Sequence, residues 1–203
     1  MLAIFKREFK SYFQNVIGWL FVAALLAVYG LYFYVYNLKN GYPYISYDLN
    51  GIGFIMMIAV PILTMRSLSD EKKTKTDQLM LTSPVSVGRI VAGKYFAMAA
   101  VYTIVIALFA LSPLVLSIYG KVALSEAYVA LFGYWLYGLS CIAVGLFISS
   151  ISESVIISAI LTFTALFLSY MMQSITGLIS SSGNLLTKVL NCFDLYTPFE
   201  KFL

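Results

Sequence analysis

Residues 66 to 95, RSLSDEKKTKTDQLMLTSPVSVGRIVAGKY, carry nine of the chain's 22 formally charged side chains. Within them Gly88 to Lys94 reproduces G-x-x-x-x-G-K, the part of a phosphate-binding loop in which backbone amides and a lysine surround phosphate oxygens. The full motif continues with Ser or Thr to hold magnesium and follows a strand that aims the loop. Here Tyr95 comes next, and Ser83-Pro84 is expected to cap a helix that runs straight into an apolar span. Nucleotide chemistry on this chain is therefore not expected. Gly93 reads as a point of close helix approach and Lys94 as a side chain reaching up to headgroups. Upstream, Ser67 with Asp70 and Thr74 with Asp77 have the S/T-x-x-D spacing that satisfies amide donors at a helix start. The second pair opens a short helix through Thr76, Asp77, Gln78, Leu79, Met80 and Leu81. Its apolar end must be covered by the rest of the chain, by lipid or by another protein.

Other chemistry is excluded by residue type. There is no histidine, which removes Ser-His-Asp and Cys-His catalysis and the common His-containing zinc sites. The two cysteines, Cys141 and Cys192, lack metal-ligand spacing and fall at different levels of the expected topology, so they read as packing residues and not as a disulfide. No catalytic, cofactor or metal site is expected.

The elements that hold this charged stretch are oily. The chain of 203 residues is 61% hydrophobic and 11% charged, against about 25% charged in a soluble domain. Residues 16–36, 49–65, 95–118, 127–148 and 155–172 contain no Asp, Glu, Lys or Arg, and each suits a hydrocarbon layer of about 30 Å that needs roughly 17 to 25 helical residues. The first is too long for a signal-peptide core and offers no small-residue cleavage site. The spacing thus predicts one all-α integral membrane domain: an interfacial helix over 1–15, five spans, and a cytosolic loop over 66–94, with 173–203 following the last span. In the first element, LAIFKREFKSYFQ, Leu2, Phe5, Phe9 and Phe13 recur at helical spacing among Lys6, Arg7, Glu8 and Lys10, as in a helix lying among headgroups.

With a cytoplasmic N-terminus, nine basic residues face inward and Lys39, Lys121, Lys188 and Lys201 face outward, the favoured sense. Tyr29, Tyr32, Tyr34, Tyr36, Tyr42, Tyr44 and Tyr47 then gather at the outer end of the first hairpin. In the fourth span Gly138, Cys141, Gly145 and Ser149 form a small-residue stripe suited to close helix packing, with a pathway wall as the other reading. Phe21 and Trp135 could line a route, face lipid or pack. No span holds an ionisable group, which argues against a self-powered secondary transporter. Basic residues flanking spans, with no soluble fold to present them, do not predict nucleic-acid binding.

The stretch RSLSDEKKTKTDQLMLTSPVSVGRIVAGKYFA, Arg66 to Ala97, resembles the segment after the second helix of ABC-2-type permeases. There an acidic-basic run precedes a Thr-acidic-x-Leu helix, a Pro-Val-Ser turn and a Gly-Lys that opens the third span. The N-terminal piece resembles the family's elbow helix, and the short SSISES connection also agrees. Within the family the look is that of the bacterial gliding-motility-associated or multidrug-type branch. Lys75 stands where Gly is usual and Asp77 where Glu is usual. After Met172 no sixth span fits, and residues 173–203 resemble the family's extracellular region of short helices between spans five and six, so the sequence resembles the family's type V exporter-like fold cut before its last helix.

What the resemblance implies is a permease subunit, not catalytic alone, in the bacterial inner membrane. It would pair with a second permease chain, identical or different, amid membrane lipid. Two copies of an ABC ATPase would carry ATP and Mg and drive export. Glu71, Thr76, Asp77, Leu79, Leu81 and Pro84 would form the loop gripped by the ATPase, with Glu71 and Asp77 for charge pairing and Leu79 and Leu81 for apolar insertion. A non-transporting membrane scaffold, or a self-powered transporter, would share the hydropathy.

Overall fold

The computed structural model describes residues 2–73, 86–119, 122–179 and 194–200. All regular elements among them are helical. They are α1 (Leu2–Gln14), α2 (Val16–Phe33) continued by a π-helical turn (Tyr34–Lys39), α3 (Ser46–Thr64), α4 (Ser69–Lys73), α5 (Val87–Phe109), α6 (Ser112–Tyr119), α7 (Leu124–Ile151), α8 (Val155–Ile179) and α9 (Tyr196–Glu200). Five stretches, Val16–Lys39, Ser46–Lys73, Val87–Ile118, Leu124–Ile151 and Val155–Met172, are long and apolar enough to cross a bilayer.

The helices sort by how much of each is covered. α3 is central and packs on α2, α7 and α8, and its Leu49, Ile52, Met56, Val60 and Leu63, spaced by three or four, are fully buried. α2 buries the narrow stripe Phe21, Leu25 and Tyr29 and leaves Trp19, Leu20 and Leu31 exposed. In α8 the usual polarity of a soluble helix is reversed. Ser158, Thr162 and Ser169 face inward while Ile156, Ile157, Ile160 and Leu161 face outward. Lipid tails are as apolar as leucine, so small and weakly polar residues are left to make the helix contacts.

Local chemistry explains the breaks. Asn15 has extended backbone between α1 and α2, and Gly18 lets the last turn of α1 cross close by, since a Cβ there would lie 2.3 Å from the Tyr12 carbonyl oxygen. Trp19 fastens the crossing by donating from Nε1 to the Phe13 carbonyl at 2.8 Å. α1 presents Phe9, Tyr12 and Phe13 to the core, while Leu2, Lys6, Arg7 and Lys10 stay exposed.

Several sequence expectations need correction. The third span, expected as one element over 95–118, is α5 and α6 with a break at Ala110 and Leu111. Pro113 at the start of α6 has no amide hydrogen to continue the ladder, and Ser112 Oγ donates to the Phe109 carbonyl at 2.7 Å. The loop over 66–94 contains α4, and its last eight residues belong to α5. Ser86 is extended, so a helix starting at Pro84 does not run unbroken into the span. α8 continues beyond Met172 to Ile179.

The largest correction concerns charge. Segments bounded by charged residues cannot contain them, but the helices run on past those bounds. Asp48, in the first turn of α3, is fully buried, and Lys94, in α5, is 2% exposed. Lys94 does not reach up to headgroups, and the case against a self-powered transporter built on missing buried charge loses its premise.

Candidate functional site

Lys94 is the natural starting point, because a lone buried ammonium costs several kcal/mol and must be matched by oxygens. It is matched from three directions. Nζ donates to Glu71 Oε1 at 2.6 Å and to the Ser67 carbonyl at 2.7 Å, and Glu8 Oε1 lies 3.7 Å away. Arg7 pairs with Glu8 at 2.7 Å and comes within 3.9 Å of Glu71. Two cations thus meet two carboxylates, and these four side chains are neutral in sum. Its members come from α1, from the turn and short helix after α3, and from α5. A cleft of about 450 Å³ opens beside it, lined by Arg7, Glu8, Tyr12, Arg66, Glu71 and Lys94 among others. Tyr12 donates weakly to the Leu63 carbonyl at 3.4 Å. Desolvation first, and the Glu8 carboxylate second, push its hydroxyl's pKa up, so it stays a neutral donor.

The start of α4 is capped from outside its own sequence. Ser67 spacing suggested a cap, but the amides of Leu68 and Ser69 both donate to Ser149 Oγ on α7 at 3.2 Å. Ser69 Oγ also donates to the Ser149 carbonyl at 3.1 Å, and Lys72 Nζ donates to the Ser150 carbonyl. The residues after α3 are therefore held to α1 and α5 by charge and to α7 by hydrogen bonds.

Of the residues suggested for an ATPase-gripped loop, Glu71 is described, and its carboxylate is engaged with Lys94. Thr76, Asp77, Leu79, Leu81 and Pro84 lie outside the described residues, as does the Thr74 and Asp77 capping pair. Along the stripe on α7, a Cβ at Gly138 would lie 2.2 Å from the Tyr102 ring, and one at Gly145 would lie 2.5 Å from Thr64 Oγ1. Tyr102 donates to the Tyr134 carbonyl at 2.7 Å. Cys141 is a buried free thiol, and Cys192 lies outside the described residues. Phe21 is buried in the core, and Trp135 donates from Nε1 to Thr103 Oγ1 at 3.0 Å.

At the opposite end of the bundle the tyrosines divide. Tyr32, Tyr36, Tyr42 and Tyr47 form a run of ring contacts, whereas Tyr29 is buried, stacks on Phe109 at 4.0 Å and hydrogen-bonds Ser112. α9 is drawn into the core between α7 and α8. Phe199 stacks on Tyr137 at 5.2 Å and Tyr196 donates to Asn50 Oδ1 at 2.7 Å.

A family model described as "ABC-2 family transporter protein" matches residues 8–203. The chain belongs to the ABC-2 transporter family. This ABC-2 permease is a multi-pass membrane protein, the membrane component of an ABC transporter, and family members are not catalytic by themselves. Searches of curated proteins and of solved structures returned no match.

In the permease, Gly88 to Lys94 form the first turns of a continuous helix. Their backbone therefore offers no loop to wrap a phosphate, and the lysine is already spent on Glu71. Among the described residues no cluster of three or more metal-ligating side chains exists. Sequence reasoning missed Lys94, Glu8 and Arg7 as partners of Glu71. The available signal was a lysine two helical turns inside a helix whose other charged residue is Arg89, four residues beyond Ile90, on a face that turns out to be buried.

Proposed function

We propose that this permease exports a substrate across the bacterial inner membrane, powered by ATP hydrolysis on separate ABC ATPase subunits that grip the connection between α3 and α5. In this reading the N-terminus is cytoplasmic, α1 lies along the inner headgroup layer, and two permease chains face two ATPases in a type V exporter-like arrangement. The gliding-motility-associated or multidrug-type branch is the proposed affiliation. ATP and Mg sit on the ATPases and not on this chain.

The observation that supports it most is the anchoring of the connection. A lever must be attached to what it moves, and the residues flanking 74–85 are tied to α1 and α5 through Lys94 and to α7 through Ser149. A docked subunit that changes shape can shift a permease only through contacts that differ between its states. Asp77, Leu79 and Leu81 are the proposed contacts, with Glu71 holding their base in place.

The test is coexpression with the cognate ATPase, followed by copurification and hydrolysis measurements in proteoliposomes. Reversal at Asp77 is more informative than at Glu71, whose replacement would also break the internal pair. Asp77→Lys is expected to lose transport-coupled hydrolysis while the permease remains folded. Undiminished coupling in Asp77→Lys, or flux that needs no ATPase at all, would overturn the assignment and favour a self-powered carrier. Binding without any transport would favour the scaffold reading.

A further inference from the structure

A second buried ionisable group lies far along α3 from the Lys94 cluster and plays no part in it. Asp48 is fully buried, and its neighbour across the first hairpin, Asn37 on the π-helical end of α2, is 5% exposed. The Asn37 amide nitrogen contacts Asp48 Oδ2. The two remaining oxygens, Asp48 Oδ1 and Asn37 Oδ1, are both buried without a hydrogen-bond partner.

Two orphaned acceptors on a contacting pair of side chains point to a missing donor. Buried polar atoms are ordinarily paired, and a buried carboxylate ordinarily has a cation or several donors. No ion pair to Asp48 exists among the described residues. Lys39, two residues after Asn37, is exposed, as is Glu126 at the start of α7. From α2, Tyr29 is the titratable side chain close enough to feel Asp48, and its hydroxyl is occupied by Ser112. With the Asn37 amide nitrogen already donating to Asp48 Oδ2, one proton on Asp48 Oδ1, donated to Asn37 Oδ1, gives both orphaned oxygens a partner and leaves the existing bond in place.

We propose that Asp48 and Asn37 form a proton-binding site, in which the Asp48 carboxyl takes one proton from water and donates it in a hydrogen bond to the Asn37 amide oxygen. The bond closes the first hairpin without burying a charge, and it joins the last turn of α2 to the first turn of α3. The site stands independently of any ATPase. It is suited to a bare proton, since neither a metal ion's coordination shell nor an organic cation is provided for by two side chains.

Infrared difference spectra of the purified permease in lipid nanodiscs at neutral pH, wild type minus Asp48→Asn, test it directly. The expected result is a carboxylic-acid C=O band that is lost in Asp48→Asn and moves with 13C-aspartate labelling. Carboxylate stretches in its place would overturn the proposal. Asn37→Ala keeps the acid and serves if Asp48→Asn fails to fold. It should shift the same band to higher frequency by removing the acceptor, and an unmoved band would refute the pairing.

Discussion

Replacing Lys94 by Met keeps the length and flexibility of the side chain and deletes its charge, so the cost isolates what the ammonium does. Two charge-assisted hydrogen bonds disappear, to Glu71 at 2.6 Å and to the Ser67 carbonyl at 2.7 Å, each worth about 1.5–3 kcal/mol. The Glu71 and Glu8 carboxylates are then left near each other, with Arg7 close to both. Breaking a fully buried pair by removing one partner costs about 3–5 kcal/mol. Here the carboxylates keep 19% and 16% of their side-chain surface in solvent, so water recovers part of the loss and about 3 kcal/mol is expected. A cycle with Lys94→Met, Glu71→Gln and the double variant separates the pair from its surroundings. Unfolding in mixed micelles titrated with a denaturing detergent should give a coupling of about 1.5 kcal/mol or more. A coupling below about 0.5 kcal/mol is what an exposed pair gives, and it would refute the view that this contact anchors the segment after α3.

Gly138→Ala should destabilise by about 1–3 kcal/mol, because the new methyl would lie 2.2 Å from the Tyr102 ring. Gly30→Ala, with nothing within 4 Å, is the control and should be neutral or slightly stabilising in the same detergent titration. Ser149→Ala removes the acceptor for the amides of Leu68 and Ser69, a loss of about 1 kcal/mol. Hydrogen exchange should quicken at those two amides, and unchanged protection there would show that α4 is capped by something else.

How much of this was legible in the sequence depended on whether the signal was local. Five apolar stretches announce five helices because burial in lipid leaves no other choice for the backbone. The stretch Arg66 to Ala97 carried enough ordered chemistry to suggest the family. What stayed hidden was where those helices end. Lys94 and Asp48 each sit one residue beyond an uncharged stretch, and a charge marks the end of a span in a hydropathy reading even when a partner elsewhere allows the helix to bury it. Glu8 and Glu71 are 63 positions apart in the chain, and nothing in the periodicity of either segment says that both face one lysine. The same holds for Ser149, read as one member of a small-residue stripe. Its hydroxyl does work that Ser67 seemed placed to do, because the neighbouring helix arrives closer than the local turn can reach. Pro113 was visible as a residue, but a proline in an apolar run can either kink a span or begin a new helix, and the hydroxyl of Ser112 joining Phe109 belongs to the second outcome.

These placements bear on how a pull on the α3 to α5 connection would travel, if an ATPase supplies one. Arg7, Glu8, Glu71 and Lys94 balance in charge, so moving them as a unit keeps their pairs intact, while moving α4 alone would strip Glu71 from Lys94 and Ser149 from two amides at once. The cheaper motion keeps both sets of bonds and carries α1, α5 and the end of α7 together. α2 and α8, which leave most of their surface outside the bundle, share neither set of bonds. On this argument α1, α4, α5 and the end of α7 move as one body, and the sliding surface lies where α3 and α8 meet through apolar and small residues. Distances between spin labels on α1 and α5 should then stay fixed through an ATPase cycle while those between α5 and α8 change. A change between α1 and α5 would show that the charge cluster opens, and that the connection bends and does not transmit.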